Sequence, residues 1–161
     1  MIDAELSPDD LLKLDNQICF ALVTAARNVV ALYRPILEPL GLTHPQYLVM
    51  LALWERAPRS LSELAEVLRL EPPTLSPLVK RLEAAGLVTR ERSAADERQL
   101  AVRLTPAGAA LRAQAEQVPP QVVEALGVDL EELTELHARL SAIIQRIAPL
   151  AGPGELSGSS R

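Results

Sequence analysis

The chain is poor in the residues that most catalytic and metal-binding sites require. Its 161 residues include one cysteine, Cys19, and two histidines, and aromatic residues make up 2%. A lone cysteine excludes a disulfide within the chain and a zinc site built on paired thiolates. His44 and His137 stand far apart without companion ligands, so no metal is expected. There is no Gly-rich phosphate loop, no Gly-x-Ser-x-Gly elbow and no internal repeat, and no motif calls for a cofactor. No apolar run approaches the roughly 20 residues of a membrane span, and the acidic opening MIDAELSPDD is unlike a signal peptide. The expectation is a cytoplasmic protein with no membrane partner.

What is present is aliphatic. Hydrophobic residues make up 48% of the chain, enough for one core, and the abundance of Ala and Leu favours helices. One domain over residues 1–161 is expected. The net charge of −5 argues against nucleic acid when taken alone, but its distribution matters more than its sum. Residues 69–103 hold seven basic and five acidic side chains, a net +2 that leaves −7 elsewhere. Such a chain could meet phosphates on one face.

The stretch from Ser60 to Thr105 has the clearest order. Ser60 with Glu63 is a capping-box pattern that starts a helix at Leu61, with Leu61, Leu64, Ala65 and Leu68 on one face. After a break at Arg69 to Glu71, Pro72 and Pro73 suit only the opening turn of a second helix, expected to Ala85 and burying Leu75, Leu78, Val79 and Leu82. Gly86 is placed to end it in a left-handed conformation. The period then changes to two: Val88, Arg90 and Arg92 share one strand face, and Leu100, Val102 and Leu104 share a face of the return strand. Helix, turn, helix and a two-stranded basic ribbon is the order of a winged helix-turn-helix, whose second helix enters the major groove. The expected fold is mainly α with a small β-hairpin wing, the DNA-binding module spanning residues 43–105.

Flanking segments read as long helices. Ser7, Pro8, Asp9 and Asp10 form a helix start, and Leu14, Ile18, Leu22, Ala25, Val29, Leu32 and Ile36 recur as one stripe of about 30 residues that kinks or ends near Pro35. Thr43 with Gln46 caps a helix through Trp54, on which Tyr47 and Trp54 read as core; residues 57–59 read as a loop. Thr105 with Pro106 starts a helix to about Gln117 that Pro119 and Pro120 interrupt. Asp129 with Glu132 starts another, with Leu130, Leu133, Leu136, Leu140, Ile143, Ile144 and Ile147 along it to Pro149. Stripes at both ends of the chain, within residues 8–38 and 106–150, suggest dimerisation helices and a symmetric dimer that reads an inverted-repeat operator in double-stranded DNA. The Gly/Ser-rich residues 151–161 are expected to be disordered.

The residues TLSPLVKRLEAAGLVTR, the Asp-x-Arg wing at Asp96 to Arg98 and LTPAG together resemble the MarR family of bacterial transcription regulators, over nearly the whole chain. The runs LDNQICFAL and YRPILEPLGLTHPQYLVMLALWE are similar to a narrower branch, the OhrR organic-hydroperoxide sensors. From the resemblance, Cys19 is the redox-sensing thiol, and tyrosine hydroxyls of the partner subunit support its thiolate; Tyr33 matches one such position. His44 and Val23 stand where relatives carry tyrosine; His44 could serve as donor or cation, Val23 as neither. Tyr47 joins Tyr33 and His44 as a candidate thiolate support. Within its own chain Cys19 reads as mid-helical, with Asp15 one turn earlier opposing an anion. With no second cysteine, oxidised Cys19 would be capped by a small thiol or over-oxidised.

For DNA, Thr74 and Ser76 are candidates for base edges, Lys80 and Arg81 for phosphates, and Arg90 and Arg92 on the wing ribbon for the flanking backbone or minor groove. The resemblance assigns Arg98 to the minor groove, oriented by Asp96. Pro72 and Pro73, where relatives often have small polar residues, cannot donate backbone bonds to phosphate. Three other readings stand beside the peroxide-sensing repressor: a MarR-type repressor released by a small phenolic or apolar ligand, a thiol peroxidase using Cys19, and a purely structural helical dimer. The peroxidase lacks a resolving cysteine, and the structural dimer leaves the basic wing unexplained. No enzyme is expected.

Overall fold

Two runs of sequence, residues 7–92 and 100–148, are described by a computed structural model. The wing tip with Asp96 and Arg98, and the tail at 151–161, lie outside the described residues.

The amino-terminal stripe is divided where a single helix was expected. Helix α1, Pro8–Leu11, is closed at its start by a reciprocal Ser7–Asp10 capping box. A 3-10 turn at Leu14–Asn16 follows, and α2 runs Ile18–Leu37. The break has a polar cause that apolar spacing cannot reveal. Asn16 Nδ2 donates to the Asp10 carbonyl at 2.7 Å and Gln17 Nε2 to the Leu11 carbonyl at 2.6 Å, so side chains occupy the acceptors at the end of α1 and turn the chain back on itself. Helix α2 carries Pro35 and ends two residues beyond it, as its position predicts.

Helix α3, His44–Glu55, begins at the expected Thr43–Gln46 box. Strand β1, Arg59–Ser60, replaces the expected loop. It pairs antiparallel with β3, Arg59 opposite Val102 and Ser60 opposite Ala101, so the wing is three-stranded, in the order β1-β3-β2. Two residues are too few for an alternation to register. Arg59 is buried, its Nε donating to the carbonyls of Ala52 at 3.0 Å and Arg56 at 3.1 Å while the guanidinium meets Glu55 at 3.2 Å. A cation thus caps the negative end of α3.

Helices α4, Leu61–Leu68, and α5, Pro72–Ala84, and strands β2, Val88–Arg92, and β3, Leu100–Leu104, follow the expected order. Arg69 turns α4 into α5 at φ 53° and Gly86 turns α5 into β2 at φ 73°. Helix α6 is Pro106–Ala115. The two prolines expected to interrupt the chain instead lie in the first turn of a further helix, α7, Val118–Leu126, where absent N–H groups cost nothing. Helix α8, Leu130–Ile147, begins at the expected Asp129–Glu132 box.

The core lies in the middle of the chain, where Leu37, Met50, Leu53, Leu64, Leu75, Leu82, Val88 and Val102 pack together. The ends differ sharply. Leu12 is 85% exposed, Ile18 63% and Leu130 69%, and no residue of α8 is buried. Residues Ile18–Leu40 reach the length and mean hydropathy, 1.2, of a membrane-spanning helix by average composition, although no unbroken apolar run of that length is present. Averaging tolerates the isolated Arg27 and Arg34 that an unbroken apolar run does not.

Candidate nucleic-acid interface and thiol site

Helix α5 and strand β2 meet at an ion pair. Glu83 accepts from the Arg90 amide at 3.1 Å and from Arg90 Nε at 2.7 Å, with the second guanidinium nitrogen at 2.6 Å. The arginine holds the Glu83 carboxyl below the usual carboxylate range. Arg90 was expected to contact DNA. Its guanidinium pairs with Glu83 of the neighbouring helix, a contact that strand alternation could not disclose.

Thr74, Lys80 and Arg81 are exposed on α5, and Ser76 is half-buried. Arg92 closes β2 opposite Leu100. The start of α5 offers few backbone donors. Pro72 and Pro73 have no N–H, and the Thr74 and Leu75 amides both donate to the Glu71 carbonyl, at 2.9 and 3.1 Å. Contacts to an anion on this helix therefore fall to side chains, a cost of the two prolines that the sequence already indicated.

A second framework fixes α6 against this module. Trp54 Nε1 donates to the Gly108 carbonyl at 2.9 Å, and the Gly108 amide donates to Thr105 Oγ1 at 3.0 Å. A Cβ at Gly108 would lie 1.9 Å from the Leu87 carbonyl oxygen. Only glycine allows this approach of helix to strand start. Neither Arg59 nor Gly108 was singled out as structural from sequence; the Trp54 indole was, but only as core.

Cys19 is exposed and is the second residue of α2, not a mid-helical one. Ala21 is the first amide to donate along the helix, to the Gln17 carbonyl at 3.1 Å. The amides of Ile18, Cys19 and Phe20 thus form the open, positive end of the helix. Asp15 lies in the preceding 3-10 turn, outside α2, so the expected one-turn relation to Cys19 is absent.

Tyr33, His44 and Tyr47 are brought together, but with each other. Tyr33 meets His44 edge-on with ring centroids 4.8 Å apart, Tyr47 lies 6.1 Å from Tyr33, and Trp54 6.4 Å from Tyr47. Tyr33 follows Cys19 by fourteen residues of one helix, about 21 Å of rise. None of this cluster reaches the thiol of its own chain. Burial lowers the His44 pKa and raises that of Tyr33, so a neutral imidazole fits the site better than the cation also expected. Tyr47 is 4% exposed and belongs to the core.

Beside this cluster is an open groove of about 1010 Å³ whose walls include Val30, Arg34, Glu38, Leu42 and His44. Among the described residues no group of three or more His, Cys, Asp or Glu could hold a metal.

A recognition helix, a supporting helix pair and a three-stranded wing define a winged-helix protein. The MarR family profile matches residues 42–100. The organic hydroperoxide resistance transcriptional regulator of Bacillus subtilis (strain 168) is 37% identical over 138 residues, 86% of this chain and 94% of that protein. The HTH-type transcriptional regulator TtmR of Methylorubrum extorquens (strain PA1) is 40% identical over 152 residues, 94% and 78% respectively. AbfR, a protein of Staphylococcus epidermidis, has a reduced, DNA-bound structure that matches with TM-score 0.70 and 32% identity over 88% of this chain and 99% of that one. The chain belongs to the MarR family of DNA-binding transcriptional regulators. The named relatives are transcriptional regulators.

Proposed function

We propose that the protein is a homodimeric repressor that binds an inverted-repeat operator and releases it when an organic hydroperoxide oxidises Cys19. The observation that carries this reading is the place of Cys19: exposed, at the open amide end of α2, beside the exposed apolar side chains Ile18, Phe20, Leu22 and Val23. Similarity to the hydroperoxide-resistance regulator supports the choice of oxidant. Pairing of α2, α7 and α8 across a two-fold axis covers Ile18, Leu130, Leu136 and Ile147, and gives Cys19 the partner's Tyr33 and His44 as donors. Thr74 and Ser76 read base edges, Lys80 and Arg81 hold phosphates, and Arg92 and the Asp96–Arg98 wing reach the flanking duplex; Arg90 braces the wing.

The thiolate attacks the outer oxygen of the hydroperoxide. An S–O bond forms as the O–O bond breaks, the alcohol leaves after taking a proton, and the product is a sulfenic acid; sulfur is oxidised and the peroxide reduced. A low-molecular thiol then displaces water to leave a mixed disulfide. The added bulk at the dimer seam alters the spacing of the two α5 helices from the one-turn separation, about 34 Å, that half-sites demand.

The test pairs intact-mass measurement with operator binding after one equivalent of cumene hydroperoxide. The expected result is a mass increase located at Cys19 together with loss of binding, and a Cys19→Ser protein that binds and does not respond. A serine variant released as readily as the parent overturns the redox role. The open groove beside Arg34 and His44 favours one second reading, release by a small phenolic or apolar ligand; that reading predicts release independent of Cys19 and of reductant.

A further inference from the structure

The turn between α4 and α5 is built on a residue type that its backbone disfavours. Arg69 has φ 53° and ψ 43°, and among the described residues it is the only non-glycine with a positive φ. Its amide donates to the Glu66 carbonyl at 3.1 Å, and the Leu70 amide reaches back to the Ala65 carbonyl at 2.9 Å. This pair of bonds is the helix ending that glycine serves best, because a Cβ crowds the left-handed backbone. Glycine takes that conformation at Gly41, Gly86 and Gly127; here an arginine takes it. Attraction between an exposed cation and the last turn of α4 is smaller than the cost of that backbone, so the fold alone gives no reason for the choice.

The neighbouring start of α5 gives one. A helix entering the major groove can hold a phosphate on its first free amides, and this helix has lost them. Pro72 and Pro73 carry no N–H, and the Thr74 and Leu75 amides are taken by the Glu71 carbonyl. Glu71 is exposed and its side chain makes no capping bond, so it sets a negative charge where the duplex brings its own. Arg69, two residues earlier, is exposed, and among the described residues it forms no ion pair. The two backbone bonds fix where its side chain leaves the turn.

We infer that Arg69 anchors a DNA phosphate, a side-chain replacement for the amide anchor that the two prolines remove. The inference rests on α5 being the recognition helix. A guanidinium presents a planar fork that can hold two oxygens of one phosphate, and the turn carries it just ahead of Pro72, with Lys80 and Arg81 further along α5. In a symmetric dimer each half-site gains one such contact. It positions the helix and reads no base. The turn thus gives up stability for binding.

Arg69→Gly separates the two roles, because glycine relieves the backbone while removing the cation. Binding by the full-length protein is measured by fluorescence anisotropy across a range of potassium chloride. Two duplexes are used, one that the parent protein selects from a randomised library and one of random sequence. The expected result is a thermal midpoint equal to or above that of the parent and about tenfold weaker binding to both duplexes. The slope of log affinity against log salt should fall by about 0.9 per subunit, and Arg69→Lys, which keeps the charge, should keep the slope. A lowered midpoint with weakened binding makes Arg69 structural, and a loss confined to the selected duplex makes it a base contact; either overturns the phosphate role, as does an unchanged slope. Adding Pro73→Ala to Arg69→Gly frees an amide at the head of α5 and should recover part of the lost affinity; no recovery overturns the replacement. Lys80→Ala and Arg81→Ala are titrated alongside. If they flatten the slope and Arg69→Gly does not, the recognition helix stands and this inference fails; if none of them does, the placement of α5 on DNA fails with it.

Discussion

Glu83 and Arg90 join the recognition helix to the wing through three contacts between 2.6 and 3.1 Å, one of them from the Arg90 backbone amide. The pair sets the angle between two elements that must meet one duplex together. If Arg90 is a brace, Arg90→Ala should weaken operator binding about fivefold or less without changing the slope of log affinity against log salt. A phosphate contact would instead remove about 0.9 from that slope. Because the Glu83 pKa is depressed, the brace is fully present above the ordinary carboxylate value of 4.5 and is lost as pH falls through the lower folded value.

Lys80→Ala and Arg81→Ala should behave oppositely. Both side chains are exposed on α5, whose proline-led start leaves anion contact to side chains. Each variant should flatten the salt dependence by about 0.9 per phosphate lost and weaken specific and random DNA alike. A slope equal to that of the parent would take that residue out of the interface.

Gly108→Ala should destabilise the fold by about 1–3 kcal/mol, because the new methyl group meets the Leu87 backbone, which cannot swing aside as a side chain can. Thermal unfolding measures it. Trp54→Phe, which loses one bond to the Gly108 carbonyl, should cost about 1 kcal/mol.

Arg59→Met retains bulk and removes the cation that caps α3. It should cost about 1–3 kcal/mol, because the Arg56 carbonyl loses its side-chain donor and the Ala52 carbonyl keeps only the Arg56 amide. Denaturant midpoints compare it with Arg56→Met on the exposed surface, which should change little.

Burial keeps the His44 pKa below its ordinary value of 6.5. The unfolded chain therefore takes up a proton there before the folded one, and stability should fall as pH drops below about 6.5, levelling off below the folded value. His44→Gln should remove that part of the pH dependence. An identical profile for the two proteins would show that His44 does not contribute it.

The helix starts were legible in sequence because capping is local: Ser60 with Glu63, Thr43 with Gln46 and Asp129 with Glu132 each form the box their spacing predicts. So was the order of helix, turn, helix and wing, since a change of period from 3.6 to two needs no partner to be read. Pairs of prolines were read unevenly. Pro72 and Pro73 were recognised as a helix start, while Pro119 and Pro120, which do the same work in α7, were taken for a break.

Contacts between distant residues were not legible. The amino-acid sequence alone determined that a single thiol precedes a winged helix in an aliphatic chain with apolar stripes at both ends. Tertiary structure alone decided that Arg59 and Ser60 pair with β3 as a third wing strand, that the Trp54 indole reaches the Gly108 carbonyl, and that Gly108 lies against the Leu87 backbone. The reason is range: caps and periodicity act within a turn or two of the chain, whereas where a polar side chain finds its partner depends on which surfaces the core has already brought together.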